Sequence, residues 1–476
     1  MDRNSNKGRS FDLIVIGSGT AASTTALKCS SAGWRVAVID SLPFGGTCAL
    51  RGCEPKKVFV EAANVIDANQ RHKDIGIVES QRIHIKWSDL IRFKRTFTEP
   101  FPMHREDSYN KVGIISFHGH AKFIGPTKLV VESKAADSDH DVVLDGKYIL
   151  IATGAKPVKL NIPGSENIIT SDQFLEYAEE NLPDKIAFVG GGYISFEFAH
   201  VAARAGATVT ILHRGRRPLE HFDPDLVNLL MQRSRDIGID FYLESKVEKI
   251  NKLSDGHFKV QFSDASVGSS SSQRSNTIDA NLVVHGAGRQ ANIDELELIA
   301  AGIEHTGRGI EVNEYLQSVS NPSIYAAGDA AASDGFPLTP TATYEGKVAA
   351  TNLINGNTIR VNYNGLPSVV FTIPPLASVG MQENEALEHG HKFRIKFEKT
   401  ASWASSKRVG ETHSGFKVLI EDDTNRILGA HILSPHAEEV INIFSMAIRL
   451  GLTSKDLNDP LLYAYPTNSS DVIYML

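Results

Sequence analysis

Two of the chain's three cysteines, Cys48 and Cys53, stand in the string GGTCALRGCEPKK with four residues between them. Two thiols this close can form a disulfide, take up two electrons as it opens, and pass them on. The spacing predicts a helix that carries both sulfurs on adjacent turns. A free thiol titrates at about 8.5, and the cationic Lys56 and Lys57 with a helix N-terminus nearby favour the thiolate. Buried core cysteines would show the same spacing. Three cysteines are too few for a disulfide scaffold in a chain of 476 residues, so in a reducing compartment the pair reads as catalytic or metal-binding.

The elements that position such a pair are legible around it. Residues 11 to 40 run strand, glycine turn, helix, strand: FDLIVIG, GSGTAASTTALKCSSAG, then WRVAVID ending at Asp40. Gly17 permits the tight turn, Gly19 lets the backbone approach a pyrophosphate, and Ala22 fills the third glycine position with a residue small enough for close helix packing. Asp40 falls where a carboxylate accepts from a ribose hydroxyl. The same grammar returns at 185 to 214 with Gly190, Gly192 and Ser195, so two dinucleotide sites are implied. The second repeat ends in His213 and Arg214, with Arg216 and Arg217 close behind. An acid there would repel a 2′-phosphate and a guanidinium pairs with it, which favours NADPH over NADH.

KLVVES and KYILIATG read as strands returning to the first sheet, and the Ser-rich stretch 264 to 276 as a flexible hairpin or insertion. After about residue 360, FKVLIEDDTNRILGAHIL and AEEVINIFSMAIRLG read as a hairpin and an amphipathic helix, a third α+β domain. A net charge of -7 offers no basic face for nucleic acid. No apolar run is long enough to cross a bilayer, and MDRNSNKGRS lacks the apolar core of a secretory signal. A cytoplasmic protein with small-molecule partners, no nucleic acid and no membrane is expected.

The string from Gly45 to Lys57 resembles the active-site signature of the pyridine nucleotide-disulfide oxidoreductase family, which includes glutathione reductase, dihydrolipoamide dehydrogenase and mercuric reductase. Further family marks follow in order: ATGAKP at 152 to 157, GGGYISFE at 190 to 197, GAGR at 286 to 289, IYAAGDA at 324 to 330, PLTPTA at 337 to 342, FTIPPLASVG at 371 to 380 and RILGAHIL at 426 to 433. The resemblance implies an α/β chain with two Rossmann-like domains and a C-terminal α+β dimerisation domain. The expected boundaries are 1–155 with 285–360 for FAD, 156–284 for NAD(P)H, and 361–476 for dimerisation.

By the same resemblance, a hydride from NADPH crosses FAD to the Cys48–Cys53 disulfide in a homodimer. Cys53 is the sulfur next to the flavin and Cys48 the outer sulfur that attacks substrate. Lys56 and Glu197 match the ion pair beside the flavin's reactive nitrogen, and Tyr193 the ring over the nicotinamide pocket. Asp329 matches the carboxylate on the ribityl chain, and Thr339 lies in the segment near the pyrimidine end. Gly46, Thr47, Lys57, Thr153, Gly154, Gly288, Arg289 and Gly328 fall in the cofactor-binding motifs.

The pattern breaks at the C-terminus. Disulfide reductases of the family carry His-Pro-Thr followed by Glu, where this chain has Tyr465-Pro466-Thr467, then Asn468, Ser469, Ser470 and Asp471. A tyrosine of pKa about 10 is ionised in about one molecule per thousand at pH 7, so Tyr465 donates a hydrogen bond but is a poor general base. Leu27 stands where glutathione reductases place an Arg, and Gly346-Lys347 where they place Gly-Arg. Mercuric reductases resemble this chain in having Tyr at the Tyr465 position, yet DVIYML lacks their terminal cysteine pair. The expected function is a glutathione reductase-like disulfide oxidoreductase active in redox homeostasis, with a soft-metal-ion reductase and a non-turnover redox sensor as alternatives.

Overall fold

The computed structural model describes residues 10–73, 75–77, 82–132, 141–264 and 275–476. Most of the Ser-rich stretch at 264 to 276 lies outside the described residues; its two ends belong to the antiparallel strands Phe258–Asp264 and Ser275–Ala280. The chain divides into two compact units. One comprises 1–56, 93–158 and 289–363, the other 57–92, 159–288 and 364–476. The segments expected as a nucleotide domain and a C-terminal domain thus fall in one unit, and the division passes within the helix Cys53–Arg71.

In the first unit a parallel core of strands orders as Ile115–His118, Val36–Asp40, Ser10–Ile16 and Val142–Ile151, continued by the antiparallel Lys128–Glu132 and His120–Phe123. Ile324–Ala326 pairs with the second half of Val142–Ile151. These strands are near-continuous apolar runs because both faces are covered. Ile14, Ile16, Ala37, Ile39, Ile149 and Ile151 bury on one side, while Leu13, Val15, Val36, Val38 and Leu150 bury on the other.

The second unit repeats the logic. The parallel order is Ile239–Tyr242, Thr208–Leu212, Lys185–Val189 and Leu282–His285, with Ile186 and Phe188 facing one core and Ala187 and Val189 another. The same unit holds a five-stranded antiparallel sheet, Ser368–Val370, Leu376–Gly380, Ile427–Leu433, Gly415–Glu421 and Phe393–Lys399. The helix Ala437–Leu450 packs on it through Val440, Ile441, Phe444 and Ala447, the spacing of one helical face. Among the described residues no helix is long and apolar enough to cross a membrane.

Candidate active site

Cys48 and Cys53 do not share a helix. Gly46–Arg51 ends at Gly52, whose φ of -146° and ψ of -115° leave helical space, and Cys53 opens a new helix that runs to Arg71. The predicted single helix is corrected on this point, and a physical reason is plain. An unbroken helix would turn a residue five positions on by about 500°, well off the face of the first. The break lets the two side chains meet.

Both cysteines are free thiols, hydrogen-bonded to each other, with Cys48 half-buried and Cys53 exposed. The hydrogen bond to Cys53, then burial, push the Cys48 thiol far above its ordinary value, against a weaker downward pull from the Thr339 hydroxyl. Cys53 Sγ lies 3.4 Å from Thr339 Oγ1. Cys53 is the first residue of a 19-residue helix and Thr339 the first of a 17-residue helix, so two helix N-termini favour negative charge on this sulfur. Thr339→Val should move the pH profile of cysteine alkylation upward by about one unit or less, the worth of one hydrogen bond. Alkylation measured against pH with iodoacetamide checks this; an unmoved profile would remove Thr339 from the thiol site.

The first glycine turn is knotted to the cysteine loop by Ser18, which the sequence reading passed over because the position between the two glycines carries no residue requirement. Ser18 N and Oγ both donate to Asp40 Oδ2, at 2.9 and 2.6 Å, and Ser18 Oγ accepts from Gly45 N at 3.0 Å. Leu42 N donates to Asp40 Oδ1. A Cβ on Gly17 would lie 2.3 Å from Ala152 O, and one on Gly46 would lie 2.4 Å from Gly19 Cα, so the two turns meet backbone to backbone. Ala22 is fully buried.

Asp329 sits in the turn Gly328–Ala330, its carboxyl pushed up by burial against the pull of Arg289. The turn is held by Glu345, a second residue that sequence reasoning missed. Its buried carboxylate accepts from Gly328 N, Ser333 Oγ and Tyr363 Oη, each at 2.6 Å. Thr153 and Gly154 follow the strand Val142–Ile151, and Thr47 lies in the helix of Cys48. Lys56 is half-buried in the first turn of the Cys53 helix.

In the second unit Gly190 mirrors Gly17, since its Cβ would lie 2.2 Å from Gly286 O. Ser195 is fully buried against Gly286, two residues before Gly288. Gly192 opens the helix Tyr193–Arg204, which carries the half-exposed Tyr193 and the buried Glu197, whose Oε1 accepts from Phe371 N at 2.9 Å. The ammonium of Lys57 lies over the Phe371 ring and pairs with Glu61 at 3.1 Å. Of the basic turn, Arg214 and Arg216 are exposed, Arg216 pairs at the surface with Glu244, and Arg217 donates to Glu220 O. Tyr465 is 86% exposed. Asp471 is pushed up by burial, against Ser405 and Arg408, so its partners lie there.

The model for pyridine nucleotide-disulphide oxidoreductases matches residues 11–346, and that for the dimerisation domain of the same family matches 366–475. The chain belongs to this family. Glutathione reductase of Schizosaccharomyces pombe is 28% identical over 98% of both chains. Mercuric reductase of Staphylococcus aureus is 30% identical over 95% of this chain and 80% of its own. An uncharacterized 19.7 kDa protein of the S. aureus mercuric resistance operon is 48% identical over all its length and 38% of this chain. Among solved structures, the Cu(II) complex of the HOCl-induced flavoprotein disulfide reductase RclA from Escherichia coli superposes with a TM-score of 0.84 at 27% identity, over 98% of both chains.

Members of this family use FAD and a pyridine nucleotide. The residues present fit both. The helices Thr20–Ser31 and Tyr193–Arg204 begin at glycines with no side-chain cap, whereas Asp223 and Thr170 cap their own helices. Uncapped amides behind a glycine turn suit a pyrophosphate. Thr153 Oγ1 and Thr341 Oγ1 are buried without a hydrogen-bond partner among the described residues, and each can serve a bound polar group.

Proposed function

We propose that this protein is a homodimeric, NADPH-dependent disulfide reductase that works through Cys48 and Cys53. FAD, held by the Gly17 turn, Asp40, Gly46 and Asp329, supplies the two-electron relay between nicotinamide and sulfur. NADPH occupies the Gly190 turn with Arg214 toward its 2′-phosphate. Lys56, Glu197, Tyr193 and Tyr465 keep the roles their motifs imply, and the domain boundaries expected from sequence are retained.

NADPH loses a hydride, solvent adds one proton, and the Cys48–Cys53 disulfide gains two electrons and two protons. Cys48 attacks a substrate sulfur, forming a mixed disulfide, and its proton leaves with the first thiol. Cys53 then attacks the Cys48 sulfur, expels the second thiol and restores the disulfide. The observation that supports this most is the thiol pair itself. The two sulfurs are hydrogen-bonded to each other, and two helix N-termini and the Thr339 hydroxyl favour charge on Cys53.

A second reading, reduction of a soft thiophilic cation such as Hg(II), is favoured by Tyr465. Metal transfer between thiolates needs no proton shuttle, and the tyrosine is exposed with no histidine in its place. The similarity to mercuric reductases agrees with it.

The test is NADPH oxidation by the FAD-loaded protein with glutathione disulfide, following absorbance and released thiol together. Two thiols per NADPH are expected. No thiol release from any of a panel of disulfides, with NADPH consumed against Hg(II) in excess thiol, would replace the first reading by the second.

A further inference from the structure

The second repeat ends in a histidine that does more than follow its strand. Gly191 N donates to His213 Nδ1 at 3.1 Å, and His213 Nε2 lies 3.0 Å from Arg217 O. An amide can only donate and a carbonyl only accept, so Nδ1 is bare, Nε2 carries the proton and the ring is neutral. Gly191 O accepts from Leu219 N at 3.0 Å, so the middle glycine of GGG is tied at both ends to the segment from 213 to 219.

The packing is as close as the bonding. A Cβ on Gly191 would lie 2.6 Å from His213 Cγ and 2.9 Å from Pro218 Cβ, and one on Gly215 would lie 2.8 Å from His213 Nε2. The ring is thus gripped between the two turns, which explains glycine at both positions. The strand-end backbone is equally committed, with His213 N donating to Tyr242 O and Ser245 N donating to His213 O. Burial pulls the ring's pKa down, helped by Arg214, against Arg217 O and Glu220.

We infer that His213 is a positioning residue for the nucleotide, locking the Gly190–Gly192 turn and the Arg214–Arg217 turn into one preformed cradle. It acts through the Gly191 amide and the Arg217 carbonyl and does not itself touch the ligand. Nucleotides bind more tightly to a preformed site because the ordering cost is met during folding. The histidine also takes the strand-end position where a carboxylate would accept from a ribose 2′-hydroxyl and repel a 2′-phosphate. This inference rests on the reading of that turn as the NADPH site.

The test uses the FAD-loaded protein with calorimetric affinities for NADP⁺, NAD⁺ and 2′,5′-ADP, and the KM and kcat for NADPH with an artificial acceptor. His213→Ala removes both bonds. His213→Asn keeps an acceptor at the Nδ1 position for Gly191 N, and His213→Gln keeps a donor that reaches Arg217 O. His213→Ala should weaken NADP⁺ about tenfold and show the loss in KM rather than kcat, while His213→Asn stays within about threefold of wild type. A His213→Asn variant as impaired as His213→Ala, or unchanged affinities for both nucleotides in His213→Ala, overturns the inference. If wild type binds NAD⁺ as tightly as NADP⁺ and ignores 2′,5′-ADP, the NADPH reading falls, and the His213 inference is decided by NAD⁺ affinity.

Discussion

Cys48→Ser is expected to lower substrate turnover by at least about 10³-fold, because a serine hydroxyl at neutral pH is not a nucleophile without an adjacent base. NADPH should still bleach the flavin absorbance of this variant, since with no disulfide to accept them the two electrons stay on the flavin. Cys53→Ser should be as inactive, but for a different reason. The charge favoured at that position by the Cys53 and Thr339 helix N-termini needs a thiolate to carry it, so no long-wavelength charge-transfer band should appear on reduction. Stopped-flow absorbance of both variants separates the two roles. Turnover retained in both would overturn a dithiol route, for disulfide and metal alike.

Asp67→Ala is expected to destabilise the second unit by about 3 to 5 kcal/mol, read as a lower urea midpoint. The carboxylate is 1% exposed and meets three guanidiniums: Arg204 at 2.5 Å, Arg233 at 2.6 Å and Arg71 at 2.7 Å. Arg204 is equally buried, and burial already pulls it down to about 10. Removing Asp67 leaves this cation with the carbonyls of His200 and Ile373 and no buried counter-charge from Asp67. Burial alone would raise the Asp67 pKa, but Arg204, Arg233 and Arg71 outweigh it and hold it below its ordinary 3.8. The stabilisation is therefore complete above that pH and is lost as pH falls through the lower folded value. The gap between wild type and variant should hold from neutral pH down to about 4 and close below it. A midpoint shift under about 1 kcal/mol at neutral pH would mean that the arginines find other partners.

The same cluster shows how function and stability share one scaffold. Glu197, His200 and Arg204 lie along one stretch of the helix Tyr193–Arg204. They bond Phe371 N, Ile373 N and Ile373 O in turn. The segment FTIPPLASVG is thereby pinned by a helix whose first residue is the candidate nicotinamide cover, Tyr193.

Local grammar carried the family and much of the fold. The two glycine turns, the alternate burial of Leu13, Ile14, Val15 and Ile16, and the hairpin ending in RILGAHIL each need only a short window of sequence, because backbone geometry and strand period act locally. The cysteine pair was legible too, and so was the loss of histidine at Tyr465. Neither spacing nor composition could show the break at Gly52, since a six-residue helix and its successor read as one periodic run.

What only the tertiary structure decided are contacts between residues far apart in the chain. Thr339 reaches Cys53 across 286 positions, Asp67 meets Arg204 across 137, and Ser18 joins Asp40 to Gly45. His213 looked like the end of a strand until its bonds to Gly191 and Arg217 were in view, and the sequence did not show that Arg216 meets Glu244 or that Arg217 meets Glu220 O. A side chain's type states which bonds it can make, whereas the partner it finds depends on how sheets and helices pack. That is why the chemistry this chain can perform was written in its sequence, and the state of each group that performs it was settled only by folding.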